Sequence, residues 1–476
     1  MRAQLIAIMG VLLYAGCTGP VADQSDYDSV SQVISGKPFN VMLTAYSTTL
    51  IANGKDQAEL RIAITDSLSR EIISRNDSVR VFVTGDGRVT GADGREIPLR
   101  TDTAGHQYVP CKLENGLCRL IFIAGTTPGK VKVEAKSGTL WPGAHEIHTL
   151  PAAFVMMKPT AEQLPATTKP IGRMIGADIS WLPQLEADGK KFYENGSEID
   201  AIQLLKAHGF NAIRLRLFVD PGNDQGYSPG KGFCDLSHTL AMAKRVKEAG
   251  MDLLLDFHYS DYWADPQQQY KPQVWSTLSF DILKDTVKAY TTRVLLAFRQ
   301  QGTMPAMVQV GNEINHGMLW PDGHISNPDQ LAALLKAGIE GVHAADPSIP
   351  VMLHIALGGQ NTEAVFWLDN MIARGVQFDI IGLSYYPRWH GTLKDLNLNL
   401  RDLAERYNKP LNVVEYANYK KEVHEILFGL PGDMRKGACF WEPLNAWSGL
   451  FDKEGHATTD FAVYDTLHAE YITSGK

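Results

Sequence analysis

Hydrophobic and polar positions follow two different patterns along the chain. From about residue 38 to 155, apolar residues come in short runs, at 41–45, 58–64, 79–83, 119–124 and 131–135, with polar alternation inside them. Turn clusters such as Asn53-Gly54, Gly85-Asp86-Gly87 and Asp93-Gly94 separate these runs. Many short strands at regular spacing predict an all-β sandwich, assigned to residues 36–155. Residues 156–172 carry Pro159, Pro165 and Pro170 and read as a linker. Beyond it, the pattern becomes strand then helix, repeated. Apolar runs at 174–179, 211–218, 251–258, 307–314, 351–356, 379–385, 411–415 and 438–441 predict eight buried strands. The helical period between them is clearest at 238–249, where Leu240, Ala243 and Val246 share a stripe that stops at Gly250. Asn327-Pro328 opens another helix with proline at its first position. A third, at 392–408, closes before Pro410. Eight strand–helix units predict an α/β fold, a (β/α)8 TIM barrel over residues 173–476. The competing doubly wound sheet needs a Gly-x-Gly-x-x-Gly after a strand, and none is present.

The N-terminus changes the picture from a cytoplasmic to an exported protein. Met1-Arg2 precedes an apolar stretch from Leu5 to Tyr14, then Ala15-Gly16-Cys17. A basic start, a short apolar run and small residues before the cut predict a signal peptide at 1–17. The small pair before Cys17 resembles a bacterial lipobox, so Cys17 is the expected lipidation site, with residues 18–35 as a polar tether. Tyr14 departs from that pattern, where an aliphatic residue is usual. The expected location is the cell surface or outer membrane, with the membrane touched only through the lipid. Export permits a disulfide between Cys111 and Cys118. A four-residue loop would set these two cysteines opposite each other, whereas a two-residue Asn115-Gly116 turn would not. Cys234 and Cys439 are expected to be free, and no Cys-x-x-Cys or His-x-x-x-His spacing suggests zinc. The 45 basic and 53 acidic side chains give a net charge of −8, which argues against nucleic acid as a partner.

In a barrel, working side chains project from the carboxyl ends of the strands. Asn312-Glu313 ends the fourth predicted strand and Glu415 the seventh. Two carboxylates across one barrel mouth can flank a glycosidic bond, one protonating the leaving oxygen and the other attacking. Each has a polar companion: Asn312 is suited to a sugar 2-hydroxyl, and Arg214 on strand two to holding Glu415 ionised. That split makes Glu415 the nucleophile and Glu313 the protonated acid.

Residues from about 172 to 462 resemble the glycoside hydrolase family 53 endo-β-1,4-galactanases. The matching segments are Gly176-Ala177-Asp178-Ile179-Ser180, Ile213-Arg214-Leu215-Arg216, His258-Tyr259-Ser260-Asp261, Trp263-Ala264-Asp265-Pro266, Val310-Gly311-Asn312-Glu313-Ile314, Gly382-Leu383-Ser384-Tyr385-Tyr386-Pro387, Val413-Val414-Glu415 and Phe440-Trp441-Glu442-Pro443. The resemblance implies Glu313 as acid/base and Glu415 as nucleophile, with Arg214, His258 and Asn312 lining the subsite of the cleaved sugar. It implies a strand-six tyrosine on the nucleophile; alternation with Ser384 selects Tyr386 over Tyr385. Trp441 becomes the sugar platform, Asp178, Asp261 and Asp265 become braces, and Trp320 and Trp447 become candidates for stacking on neighbouring sugars. Many relatives in the family have a long excursion between strands seven and eight, and several bacterial ones bind calcium there. Only 27 positions separate Glu415 from Glu442 here, with no oxygen-rich cluster, so no metal and no cofactor are expected. Residues 50–58 resemble bacterial Ig-like domains. The expected activity is retaining endo-hydrolysis of β-1,4-galactan by a monomer. Two alternatives share these residues: another retaining β-1,4-glycanase of mannanase or cellulase type, and a non-catalytic surface glycan-binding protein.

Overall fold

The computed structural model describes residues 24–164, 169 and 172–474. Cys17 and the signal segment lie outside them. The described part of the tether is built structure: helix Gln24–Ser31 leads into strand Gln32–Val33, which pairs in parallel with Glu71–Ile72. Two six-stranded sheets follow. One is centred on Gln57–Thr65, between Asn40–Ala45 and Leu117–Ala124. The other is centred on Gly129–Lys136, between Ser78–Thr84 and Gly143–Leu150. Burial alternates along Leu117–Ala124 and Gly129–Lys136, as strands with one face on a core require. Leu43, Leu60, Ile62, Val81, Phe122 and Val133 fill the space between the sheets.

Cys111 and Cys118 are bonded to each other. The chain between them turns through Asn115-Gly116, both with positive φ (50° and 79°), and Glu114 pairs with Leu117. This is the tight turn that would misplace cysteines in a flat hairpin. The two arms instead part into different sheets, Cys111 pairing with Val79 and Cys118 with Ile62. The bond therefore staples one sheet to the other.

The barrel closes from eight parallel strands: Met174–Asp178, Ala212–Leu217, Asp252–Phe257, Met307–Val310, Val351–Ile355, Ile380–Tyr385, Leu411–Tyr416 and Arg435–Trp441, here strands one to eight. Strand one pairs with strand eight through Gly176↔Cys439 and Asp178↔Trp441. Helix caps sit where the sequence marks them. Asp235 accepts from His238 N–H at the start of Leu236–Glu248, and Thr392 with Asp395 forms a capping box on Leu393–Tyr407. Each strand sends one residue into an apolar plug inside the barrel: Met174, Ala212, Leu254, Met307, Met352, Ile380, Val414 and Cys439. The chemistry sits above this dry floor.

The sandwich is docked on the barrel. Glu363, 1% exposed at the start of helix Asn361–Ala373, accepts from Thr48 N (2.5 Å), Thr48 Oγ1 (2.9 Å) and Thr49 Oγ1 (2.7 Å). His148 of the sandwich stacks on His316 of the barrel at 3.8 Å, and its Nδ1 lies 2.9 Å from His324 Nε2. In the linker, Lys169 Nζ donates to Ile349 O (2.7 Å) and Asp379 (3.0 Å). Removing the acceptor at the centre of this contact leaves the Thr48 N–H and the Thr49 hydroxyl buried and unmet, while the Thr48 hydroxyl keeps His316 Nε2 at 3.0 Å. Glu363→Ala is therefore expected to cost about 2–4 kcal/mol. Calorimetry is expected to show the sandwich melting ahead of the barrel rather than with it.

Candidate active site

Strand two carries Ala212, Arg214 and Arg216 at alternate positions, so all three face the barrel interior, and all six of its residues are buried. Arg214 is 1% exposed. Its Nη1 donates to Asp178 Oδ2 and to Glu415 Oε1, both at 2.8 Å. Its Nη2 donates to Asp256 Oδ2 and to Asn312 Oδ1, both at 2.8 Å. Nε donates to Gln309 Oε1 at 3.2 Å. One guanidinium thus ties strands one, two, three, four and seven together at the level of the two candidate glutamates.

Glu415 has both oxygens held, Oε1 by Arg214 and Oε2 by the Tyr386 hydroxyl at 3.1 Å. Glu313 stands in a tight turn after strand four. Gly311 has φ 83° and Glu313 itself has φ 46°, the left-handed region that a side-chain-bearing residue enters at a cost of about 1–3 kcal/mol. Ser384 Oγ donates to Glu313 Oε1 at 2.6 Å, and His354 Nε2 lies 2.8 Å from that same Oγ. This leaves Oε2 of Glu313 to carry a proton.

The two carboxyls are pushed up unequally. Burial raises Glu313 well above the usual carboxylate range, and the charge of Glu415 raises it further, while the Ser384 hydrogen bond pulls it back. Burial raises Glu415 too, against the opposing pull of Arg214. At Glu415 desolvation outweighs the pull of the cation. The difference between the two survives as an ordering: Glu313 keeps its proton to higher pH, and Glu415 gives its up first.

Both carboxylates open into one cavity of about 580 Å³. Asn312, Tyr386 and Trp441 line it, as expected, and so does Trp447. Trp441 lies edge-on to Trp181 (5.3 Å) and tilted against Trp447 (5.7 Å). Asp265 lines the cavity while bracing its own loop, accepting from Gln267 N at 2.8 Å. Asp261 is a brace, accepting from Asp220 N (2.9 Å) and Gln273 N (2.8 Å). Asp178 is a brace under Arg214.

Three expectations need correction. Arg214 and His258 were read as lining the subsite, yet neither reaches the cavity wall. His258 sits beneath it, with Nε2 3.0 Å from Asp256 and Nδ1 accepting from Ala264 N. Trp320 is not in the cavity either. Lys130 of the sandwich lies over its ring at 4.8 Å and His148 tilts against it at 5.7 Å, so it is part of the domain contact.

Several working residues were missed. Asp256 and Gln309 complete the shell of Arg214, and the only signal for them was inward parity on strands three and four. Ser384 and His354 form the support of Glu313, and a lone serine or buried histidine carries no pattern. Arg216 donates to Glu442 Oε1 at 2.6 Å and lies over the Trp263 ring at 4.4 Å, bracing the tryptophan wall from below. Burial pushes the Glu442 carboxyl up to about 8 against that pairing. Among the described residues, no group of three or more His, Cys, Asp or Glu side chains is arranged to hold a metal ion.

Comparison with known proteins agrees with this geometry. Residues 174–427 match the model described as glycosyl hydrolase family 53, and residues 41–145 match glycoside hydrolase family 2 C-terminal domain 5. The Niallia circulans protein named "Uncharacterized protein in bgaB 5'region" is 42% identical over 347 residues, covering 61% of this chain and 93% of that protein. The arabinogalactan endo-beta-1,4-galactanase A of Aspergillus niger is 36% identical over 269 residues, covering 54% of this chain and 74% of its own. Among solved structures, the Ignisphaera aggregans GH53 catalytic domain superposes with a TM-score of 0.58 at 33% identity, over 65% of this chain and 99% of that one.

The Ser384 hydroxyl stabilises the ionised form of Glu313. Ser384→Ala removes that bond, so the Glu313 carboxyl is expected to hold its proton to still higher pH. The measurement is the pH–activity profile, whose basic limb reports the acid. It should move upward while the acidic limb, set by Glu415, stays.

Proposed function

The chain belongs to glycosyl hydrolase family 53, and from that premise we propose that it is an endo-β-1,4-galactanase cleaving galactan with retention of anomeric configuration. The observation that carries the mechanism is the pair of unlike carboxylates: Glu415 held at both oxygens by Arg214 and Tyr386, Glu313 held at one oxygen by Ser384. Glu313 gives its proton to the glycosidic oxygen as Glu415 attacks the anomeric carbon. The fragment on the reducing-end side leaves, and the other remains as a galactosyl ester on Glu415. Glu313, now ionised, takes a proton from water as that water attacks the same carbon, freeing Glu415 and restoring the acid. Two inversions at one carbon give retention. Trp441 offers the sugar an apolar face, and Asn312, fixed by Arg214 on the cavity wall, is suited to a sugar 2-hydroxyl.

The substrate is a neutral polysaccharide, which suits a site whose cations, Arg214 and Arg216, are paired with carboxylates beneath the cavity wall. The enzyme acts as a monomer. Its N-terminal signature supports export and a lipid on Cys17 that tethers it to the cell surface or outer membrane.

Glu415→Ala is expected to abolish release of galacto-oligosaccharides from galactan, and Glu313→Ala to slow it by about 10²–10⁴. Full activity in either variant rejects the assignment of roles. Purified enzyme offered galactan, mannan and cellulose is expected to cut the first alone; cleavage of mannan or cellulose would favour the broader glycanase reading, and cleavage of none a binding protein. Radiolabelled palmitate is expected to enter the wild-type protein and not Cys17→Ala, and equal labelling of both would remove the anchor.

A further inference from the structure

The cavity that holds Glu313 and Glu415 is not made by the barrel alone. Thr48, Ala144 and His145, all from the sandwich, stand on its wall with Trp389 of the barrel. Ala144 and His145 lie on the strand Gly143–Leu150 and are only partly buried.

This wall is fixed in place. Thr48 is locked to Glu363, and Arg388 Nη2 donates to Pro142 O at 2.8 Å, just before that strand. The Arg388 guanidinium also lies 5.4 Å from the centroid of the Trp389 ring. A sandwich carbonyl therefore holds the cation that packs on Trp389. That ring is 39% exposed and stands edge-on to Tyr386 at 5.9 Å. A half-open indole on a cavity wall offers the flat apolar surface on which a sugar ring stacks.

The wall also has a direction. The sandwich meets the barrel through His316, Glu363 and Arg388, which follow strands four, five and six. Trp263, Trp441 and Trp447 come from the other sector, after strands three and eight. Glu313, the acid, stands in the turn after strand four and must touch the oxygen that leaves. The sugars on the leaving side therefore run out over the sector of strands four to six, toward the sandwich.

We propose that Ala144 and His145 of the sandwich, with Trp389 of the barrel, form a binding site for a β-1,4-linked galactosyl unit on the leaving-group side of the cleaved bond. This rests on the galactanase reading above and adds to it a subsite built from a second domain. Ala144 is small and leaves the ring room. His145 Nε2 donates to Leu43 O at 3.0 Å, which leaves Nδ1 as an acceptor for a sugar hydroxyl. Burial pushes the imidazole down to about 4, so it remains an acceptor through the neutral range.

The test is the cleavage pattern of β-1,4-galactohexaose labelled at its reducing end, using the full chain. Ala144→Tyr fills the site from a strand position that accepts an aromatic residue. His145→Gln changes the hydrogen-bonding group while keeping a donor for Leu43 O. Both variants are expected to shift the preferred bond toward the reducing end, releasing shorter labelled fragments. For Ala144→Tyr, the ratio of the two main labelled products is expected to change by about tenfold, the effect of losing one well-fitted sugar contact. Wild-type cleavage with the same product ratio in both variants overturns the subsite and leaves the galactanase reading standing. Failure of the wild-type chain to cut the hexaose overturns both.

Discussion

A guanidinium buried at the heart of the barrel is the constraint from which the rest of the site follows. Arg214 lies just above the plug of Met174, Leu254, Met307 and their neighbours, out of reach of water. A cation there is tolerable only if carboxylates surround it, and taking one partner from such a cluster costs about 3–5 kcal/mol. Asp178 and Asp256 meet that demand from strands one and three. The third carboxylate is Glu415. Glu415 is thus one of the counter-ions that let the arginine be buried, and its position is set by the same electrostatics that hold the barrel together. Catalytic geometry and folding stability are linked at one residue, which makes the site rigid before any sugar enters.

The same dry environment explains why two chemically identical side chains take different roles. Burial alone would protonate both glutamates. Glu415 touches a cation and a phenol, while Glu313 touches only a serine hydroxyl and feels the charge of Glu415 as well. One proton shared between them settles on Glu313. The left-handed backbone at Glu313 is the conformational cost of this arrangement. Gly311, two residues earlier, has no Cβ to collide with Ile314, which is why the turn forms there.

Most of the barrel was legible in the sequence because its strands are buried on both faces and read as unbroken apolar runs, while helix starts and stops carry their own caps. The glutamates were legible because a carboxylate at the end of such a run is out of place unless it works there. Tyr386 was legible only because the family resemblance implies a tyrosine on strand six; parity with Ser384 then chose it over Tyr385. What could not be read is what parity and runs do not encode. Ser384 is a small polar residue like many others, and nothing in its neighbourhood shows that it faces Glu313 across strands four and six. His258 and Arg214 were placed in the right sector but one layer too high, since the sequence gives the angular position of a side chain in a barrel and not its depth. Trp320 was misread because an aromatic residue after strand four fits a sugar platform and a domain contact equally well; only the position of Lys130, in a separate domain, decides between them.

That domain contact changes how the sandwich should be understood. A spacer held by a proline-rich linker needs no specific surface, and polar atoms facing the barrel would then meet water. Here Thr48, Thr49 and His148 are buried against Glu363, His316 and His324, and such groups are buried only where each finds a partner of matched geometry. A fixed orientation follows, and a fixed orientation is what brings Ala144 and His145 to the wall of a cavity whose floor belongs to another domain. The barrel supplies the two unlike carboxyl groups, Glu313 and Glu415, that open into the cavity. The sandwich, rigidly seated on the sector of the acid, helps set which bond of a long chain reaches it.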